Sequence, residues 1–368
     1  MKEISQLNEW IENVDAFVDD LQKANSYKFN IVINEPTKFG EDLELGFSTY
    51  GLKLSYMLGK WKKLDIKEQN KWINFLISFQ TTKFKGYENY FIDENYVKHF
   101  KKINFKEAPK DLVKLTLNQF TKNKYDTKNI KLQKGINAEN KQTIATLHEV
   151  GVNNYKNIKR IDNNSNELEK YLNSLNWSKP WTSGAQFASL CLYSVTQGFQ
   201  NESKLIKFIE GISDERTGSY FSELPKEPRE IINGAMKVIS GLDWLEEKIH
   251  YPEKLIDFCI NNKPKHEGCD VVDYIYVLTK CSKQTNYKKE AVARILVECI
   301  SVLSVLYSEK EGGFSYFVNS SQTHYYGVEV SKGKKEADLH GTLLCTWAII
   351  MILDFFEELD AKFNLIKP

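Results

Sequence analysis

The sequence predicts an all-α protein folded as an (α/α)6 toroid, a double ring of helical hairpins, with its functional site in the mouth of the ring. Three observations carry this prediction. Apolar and amphipathic helical segments alternate six times along 368 residues. Four amphipathic segments lead into a short loop holding Gly beside an aromatic or small residue, and several helix starts carry capping residues.

The more apolar helices are expected to begin near Ser48, Gln142, Ser183, Ile231, Cys269 and Asp338. Those alternating with them begin near Ile4, Ile66, Asn166, Glu202, Pro252 and Tyr287 and place Leu, Ile, Phe or Trp at i, i+3, i+4 and i+7. Helices covered nearly all round and helices covered on one side are what the inner and outer layers of two concentric rings require. The first helix then closes the ring from outside, against the last inner helix. Asp65 with Glu68, Asn166 with Glu169 and Ser183 with Gln186 have capping-box spacing, and Pro252 suits a first helical position. The loop signature recurs at Gly86-Tyr87, Gly218-Ser219-Tyr220-Phe221, Gly268-Cys269 and Gly312-Gly313-Phe314.

We read residues 1–368 as one domain interrupted by a Lys-rich insertion at about 84–135. From Lys98 to Lys134 that stretch holds eleven Lys against Glu107, Asp111 and Asp126, with one amphipathic helix carried by Leu112, Leu115, Leu117 and Phe120. A solvated insertion is the plain reading; a cover for the ring mouth or a surface for a phosphate-rich partner is the alternative.

With 50 basic and 49 acidic residues the net charge is +1, so no global field draws nucleic acid or an anionic membrane. The N-terminal residues run straight into an acidic amphipathic helix without a signal-peptide core. The longest apolar run, Leu343 to Leu353, is about half the ~20 residues of a membrane span. The six cysteines form no C-x-x-C pair and read as reduced core thiols in a cytoplasmic protein.

In such a ring the inner-helix starts converge, and their polar residues are Gln142, His148, Gln186, Asn233, Lys237, Asp270, Asp273, Asp338 and His340. Asp270 and Asp273, three apart, share a helical face and can divide acid from base work. Asp270 and Asp338 also suit N-cap positions. Glu267, Cys269 and His340 offer a possible zinc set. The loop Ser320 to Gly327 places His324 beside Tyr325 and Tyr326, a second proton-transfer candidate. No nucleophile elbow and no phosphate-binding Gly loop is found.

The alternation and the turn Gly312-Gly313-Phe314-Ser315-Tyr316-Phe317 resemble the α/α toroid of terpenoid cyclases and protein prenyltransferase β subunits. Within this resemblance, Glu267-Gly268-Cys269 is similar to the Asp-Gly-Cys that supplies two zinc ligands in prenyltransferases. Asp338-Leu339-His340-Gly341-Thr342 is similar to the segment giving the third ligand, which would be His340. The segments Trp177 to Trp181 and Asn233 to Lys237 resemble a bacterial branch of these toroids. The cyclase motif D-x-D-D is not present, nor is a full set of Gln-Trp turn repeats, which disfavours protonation-initiated cyclisation.

The resemblance implies an enzyme acting on an isoprenoid-like or other small substrate by acid–base or zinc-assisted chemistry. Asp270, Asp273, His340 and Asp338 would be catalytic, and Asn233, Lys237, Gln186, Tyr274, Trp181, His324 and Tyr326 would bind substrate. Tyr276 and Trp347 would line the pocket. A carbohydrate-active toroid, a lyase or hydrolase using His324, Tyr325, Tyr326 and Lys237 on a glycan, is the alternative enzyme. A binding or scaffold protein without chemistry is the third reading.

Overall fold

The computed structural model describes residues 2–101, 113–114, 127–159, 165–264 and 268–368, with the backbone alone at 2, 165 and 166. Among these residues fourteen α-helices carry the chain, and the strands form three two-stranded antiparallel ribbons. The protein is mostly helical, as its sequence predicts.

Six helices are buried over most of their surface: α3 (Leu45–Met57), α6 (Lys128–Glu149), α8 (Pro180–Gln197), α10 (Pro228–Leu245), α12 (Cys269–Ser282) and α14 (Leu339–Phe355). Five begin close to where the apolar pattern places them. The exception is α6, which starts at Lys128 with Thr127 as its cap, not near Gln142. Its first turns are dominated by Lys, Asn and Gln, which dilute the apolar periodicity. The alternating helices are α1 (Lys2–Leu21), α4 (Ile66–Ile77), α7 (Ser165–Ser174), α9 (Glu202–Glu210), α11 (Pro252–Asn261) and α13 (Lys289–Leu306). In α1, for example, Leu7, Trp10, Ile11, Val14, Phe17, Val18 and Leu21 make one buried stripe.

Contacts among the six buried helices run in a closed cycle. Helix α3 touches α6, α6 touches α8, α8 touches α10, α10 touches α12, α12 touches α14, and α14 returns to α3. The alternating helices pack on these partners: α1 on α14, α4 on α3, α9 on α8, α11 on α12, and α13 on both α12 and α14.

Four of the one-sided helices end in the same device, a short antiparallel pairing that turns the chain back inward. The paired residues are Gln22 with Phe29, Gln80 with Phe91, Ser213 with Tyr220, and Tyr307 with Phe314. In each, the returning residue is an aromatic buried in the core. Three of these turns hold the Gly-aromatic signature, at Gly86, Gly218 and Gly312; the turn after Gln22 holds no Gly, and Gly268 instead precedes α12 directly, with no such pairing among the described residues. Gly218 and Gly312 both sit at φ +77°, and a Cβ at Gly218 would lie 2.6 Å from the Tyr251 carbonyl oxygen.

The first part of the Lys-rich stretch joins the core. Phe91, Ile92 and Tyr96, the last on α5 (Glu94–Lys101), are buried. Asp93 accepts hydrogen bonds from the N–H groups of Glu44 and Leu45 at 2.7 and 3.2 Å, capping α3 from a distance. Residues 102–112 and 115–126, including most of the predicted helix there, lie outside the described residues.

Asp65 accepts from the Glu68 N–H at 2.8 Å and Pro252 opens α11, as expected. Ser183 does not cap: α8 begins at Pro180, and the Ser183 hydroxyl donates to the Asn176 carbonyl. At the end of the helices away from the inward-turning loops, residues 363–368 cross three of the buried helices. Asn364 N–H donates to Met57 O, Lys367 N–H to a Glu149 carboxylate oxygen, and Trp244 Nε1–H to the Pro368 carbonyl. Among the described residues no helix is long and apolar enough to cross a membrane.

Candidate functional site

The interior site is built from the start of α14. Asp338 Oδ1 accepts from the Gly341 N–H at 2.7 Å, and Oδ2 accepts from the N–H groups of Tyr316 and Gln322 at 2.7 and 3.0 Å. Burial pushes its carboxyl up to about 7, opposed by these backbone donors. Both oxygens are therefore engaged, and Asp338 is a cap that ties two loops to α14 instead of the catalytic acid its position suggests.

That cap fixes His340 two residues on. Its imidazole lies between the rings of Tyr50 and Tyr316, stacked at 5.0 Å from each. Burial, reinforced by the Lys237 ammonium, lowers its pKa to about 3, so the ring is neutral near pH 7. Its Nδ1 is buried without a hydrogen-bond partner. A neutral imidazole with an open ring nitrogen can relay a proton.

Tyr316 links this ring to α12, its hydroxyl lying 3.1 Å from Cys269 Sγ. Burial and the nearby Asp273 push the Cys269 thiol up to about 11, which keeps it protonated and weakly nucleophilic. One turn along α12, Asp273 Oδ1 stands 3.7 Å from Lys237 Nζ while its Oδ2 is buried and unpartnered. Burial raises this carboxyl to about 6 against the pull of Lys237, so it exchanges its proton close to neutrality.

Beyond Tyr50 lie two further phenols. The Tyr325 ring meets Phe47 and Tyr50 edge-on at 5.2 and 6.0 Å, and the Tyr326 hydroxyl interacts with that of Tyr50. Tyr326, though an exposed residue, brings its hydroxyl to Tyr50 from a left-handed backbone, φ +43°, whose carbonyl accepts from the Tyr96 hydroxyl at 2.9 Å. Tyr325 is turned to Glu139 of α6, yet neither Glu139 oxygen makes a hydrogen bond of ordinary geometry. Burial and Asp93 hold the Glu139 carboxyl well above the usual range, hence neutral. Gly46 permits this approach, because a Cβ there would sit 2.0 Å from the Tyr325 hydroxyl oxygen.

Two buried lysines complete the neighbourhood. Lys53 donates to Gln142 Oε1 at 2.6 Å, and burial lowers its pKa despite Glu149 nearby. Lys141, two residues after Glu139, is 8% exposed and is pushed down to about 7 by burial, then by Lys237 and Lys53.

No family model, curated protein or solved structure matches this chain. The assignment of roles therefore rests on side-chain geometry.

Of the residues expected at the site, Asp273, His340, Lys237, Cys269 and Tyr326 come together. Asp270 is inside α12 and not its N-cap. It accepts from Arg229 Nε at 2.8 Å and Asn233 Nδ2 at 2.9 Å, at the lip of a small cavity of about 160 Å³. There it is an ion-pair partner, its charge matched by Arg229, whose guanidinium also covers the half-buried Trp181 ring at 4.9 Å. Asn233 thus lines this cavity, and Trp181 is joined to it through Arg229. Gln186 does not join the cluster; it accepts from Tyr171 on α7 at 3.2 Å. Tyr274 points away too, donating to the Cys259 carbonyl of α11 at 2.8 Å, a packing role. His324 is exposed and held by Thr323; Tyr325 beside it is buried, whereas Tyr326 is 37% exposed and meets Tyr50 through its hydroxyl. His148 packs on Trp244 near the end of α6, and Tyr276 packs on Trp347 while donating to Asp243.

The expected zinc set is not assembled by what is described. Glu267 lies outside the described residues, and among those described no three His, Cys, Asp or Glu side chains group as a metal would need. Cys269 and His340 each face Tyr316 instead.

Sequence reading missed Tyr50, Glu139, Lys141 and Tyr316. Lys53 carries a usable signal, the one charge in the otherwise apolar or neutral run from Leu45 to Met57. Glu139 and Lys141 had none, because they precede the point where α6 becomes apolar enough to recognise.

Proposed function

We propose that the cycle of helices closes as an (α/α)6 toroid and that its interior is the active site of an enzyme resembling terpenoid cyclases and prenyltransferases. The reaction is proton transfer to and from a small substrate. One observation carries this reading: Asp273, His340 and Glu139, from α12, α14 and α6, bury unpartnered polar atoms in one contiguous neighbourhood. Each such atom costs about 1–3 kcal/mol, a cost that folding alone does not reward three times in one place. Asp273 is the proton donor or acceptor near neutrality, and His340 is its counterpart across Tyr316. The Tyr50, Tyr316 and His340 stack offers aromatic faces to a cationic intermediate.

The test is incubation of the protein with a small-molecule extract, followed by mass spectrometry of what is consumed. Wild type should deplete a compound that Asp273→Asn and His340→Ala leave intact while both variants remain folded by circular dichroism. Depletion unchanged in both variants would remove the assignment.

The buried Tyr325 and the part-exposed Tyr326 beside it favour a second reading, cleavage of an acidic glycan by tyrosine-mediated elimination with Lys237 on the sugar carboxylate. Appearance of an unsaturated, ultraviolet-absorbing product from a uronate polysaccharide, lost in Tyr326→Phe, would support it.

A further inference from the structure

A second cavity, of about 640 Å³, lies where the turn after α13 meets the segments 33–35 and 334–336. None of Asp273, His340 and Glu139 lines it, so it has no part in the proton transfers above. Its wall holds Glu336, a carboxylate only 6% exposed. Glu336 Oε2 accepts from the backbone N–H and the side-chain amide of Asn34, both at 3.2 Å. Its Oε1 is buried without a hydrogen-bond partner. Glu311 brings a second carboxylate alongside, because its Oε2 accepts from the N–H of Ala337, the residue after Glu336, at 2.6 Å. Three lysines line the same cavity. Lys334 is taken by Glu35 at 2.7 Å, whereas Lys310 and Lys335 are exposed and have no ion-pair partner among the described residues. Two apolar side chains that water reaches freely, Ile33 at 40% and Val305 at 54% exposure, complete the lining.

We propose that this cavity binds a zwitterion of the α-amino-acid type with an apolar side chain, either a free amino acid or a dipeptide. An acceptor oxygen buried without a donor is costly to fold, and a ligand that brings N–H groups removes that cost. A primary ammonium carries three such donors and a full positive charge, which suits Glu336 Oε1 with Glu311 beside it. A bare metal ion is the poorer occupant: among the described residues no three His, Cys, Asp or Glu side chains group as a metal would need. A simple amine would satisfy the two carboxylates and leave Lys310 and Lys335 facing it as like charges. A carboxylate on the same ligand turns that repulsion into attraction, two acids and two unpaired lysines being matched by one charge of each sign. Ile33 and Val305 then cover the ligand's side chain, and the polar groups fix its orientation. The volume falls in the range of small-molecule sites, roughly 300–1,000 Å³. The proposal goes beyond the acid–base reading and does not depend on it.

The experiment is calorimetric titration of the full chain at neutral pH with leucine and with leucyl-leucine, against isopentylamine, which lacks the carboxylate, and 4-methylpentanoate, which lacks the ammonium. Leucine or leucyl-leucine should bind at least about tenfold more tightly than either control, the effect of losing one charged hydrogen-bonding group. Which of the two binds better identifies the ligand as a free amino acid or a peptide. Glu336→Gln keeps an acceptor for Asn34 and should weaken binding by at least about tenfold. Lys310→Met with Lys335→Met alters exposed positions that the fold does not need, and should bring the zwitterion's affinity down to that of isopentylamine. No heat of binding from either zwitterion overturns the proposal. So does isopentylamine binding as tightly as leucine and leucyl-leucine, or affinity unchanged in both the Glu336 variant and the double-lysine variant.

Discussion

Glu139 shows how much one side chain's setting decides. It is raised by burial and then by Asp93, so the folded chain keeps a proton that the unfolded chain releases near 4.5. Between 4.5 and the raised folded value, the native state binds more protons than the unfolded one. Stability therefore falls as pH rises across that window, by up to about 1.4 kcal/mol per pH unit for one proton. Glu139→Gln keeps the neutral form at every pH. It should melt above wild type at alkaline pH and lose that advantage as pH descends toward 4.5, a trend that thermal melts across a pH series will read directly. Parallel curves for the two proteins would mean that Glu139 is ionised in the fold.

At the scale of elements, helix starts and reversals do different amounts of work. Asp65 caps α4 at the surface with one bond, whereas Asp338 joins α14 to the loops at Tyr316 and Gln322 with three. Asp65→Ala should cost about 1 kcal/mol and Asp338→Ala roughly 2–4 kcal/mol, because the latter strands buried N–H groups. Denaturant titrations of the two variants test the ratio. The loop glycines separate in the same way. Gly86 and Gly218 both have positive φ, but a Cβ at Gly86 meets nothing within 4 Å and one at Gly218 strikes the backbone of Tyr251 and Leu255. Gly86→Ala should lose only the left-handed backbone penalty, roughly 1–2 kcal/mol, and Gly218→Ala clearly more. Equal losses would show that the Gly218 hairpin yields to accommodate the methyl group.

For the molecule as a whole, stability depends on joining residues remote in sequence. Helix α1 meets α14 and α13, with Trp10 against Tyr307 at 5.1 Å and Phe314 at 5.8 Å. Residues 363–368 hold the opposite end by binding α3, α6 and α10 and burying Phe363 and Ile366. Deleting 363–368 removes those bonds and that apolar cover, a loss of several kcal/mol by ordinary burial and hydrogen-bond values, about 1.5–3 for each apolar side chain. A lowered melting temperature with helix content retained is the expected result. An unchanged melting temperature would mean that the tail lies passively on the helix ends.

The helices were legible because each needs only local information: an apolar stripe, a cap, a glycine where the chain must turn left-handed. That is why α4, α9, α11, α12 and α14 begin where the residues say, and why Asp273, Lys237 and His340 stood out as polar groups in apolar helices. The sequence could not say which of two similar carboxylates stays free. Asp270 is claimed by Arg229 and Asn233, and Asp338 by three backbone N–H groups, while Asp273 keeps an unpartnered oxygen. Nor could it bring Glu139 and Lys141 inward from a helix whose start reads as polar. Local propensity alone determined the elements. The protonation and freedom of each side chain were decided by tertiary packing, because burial and neighbouring charge come from helices distant along the chain.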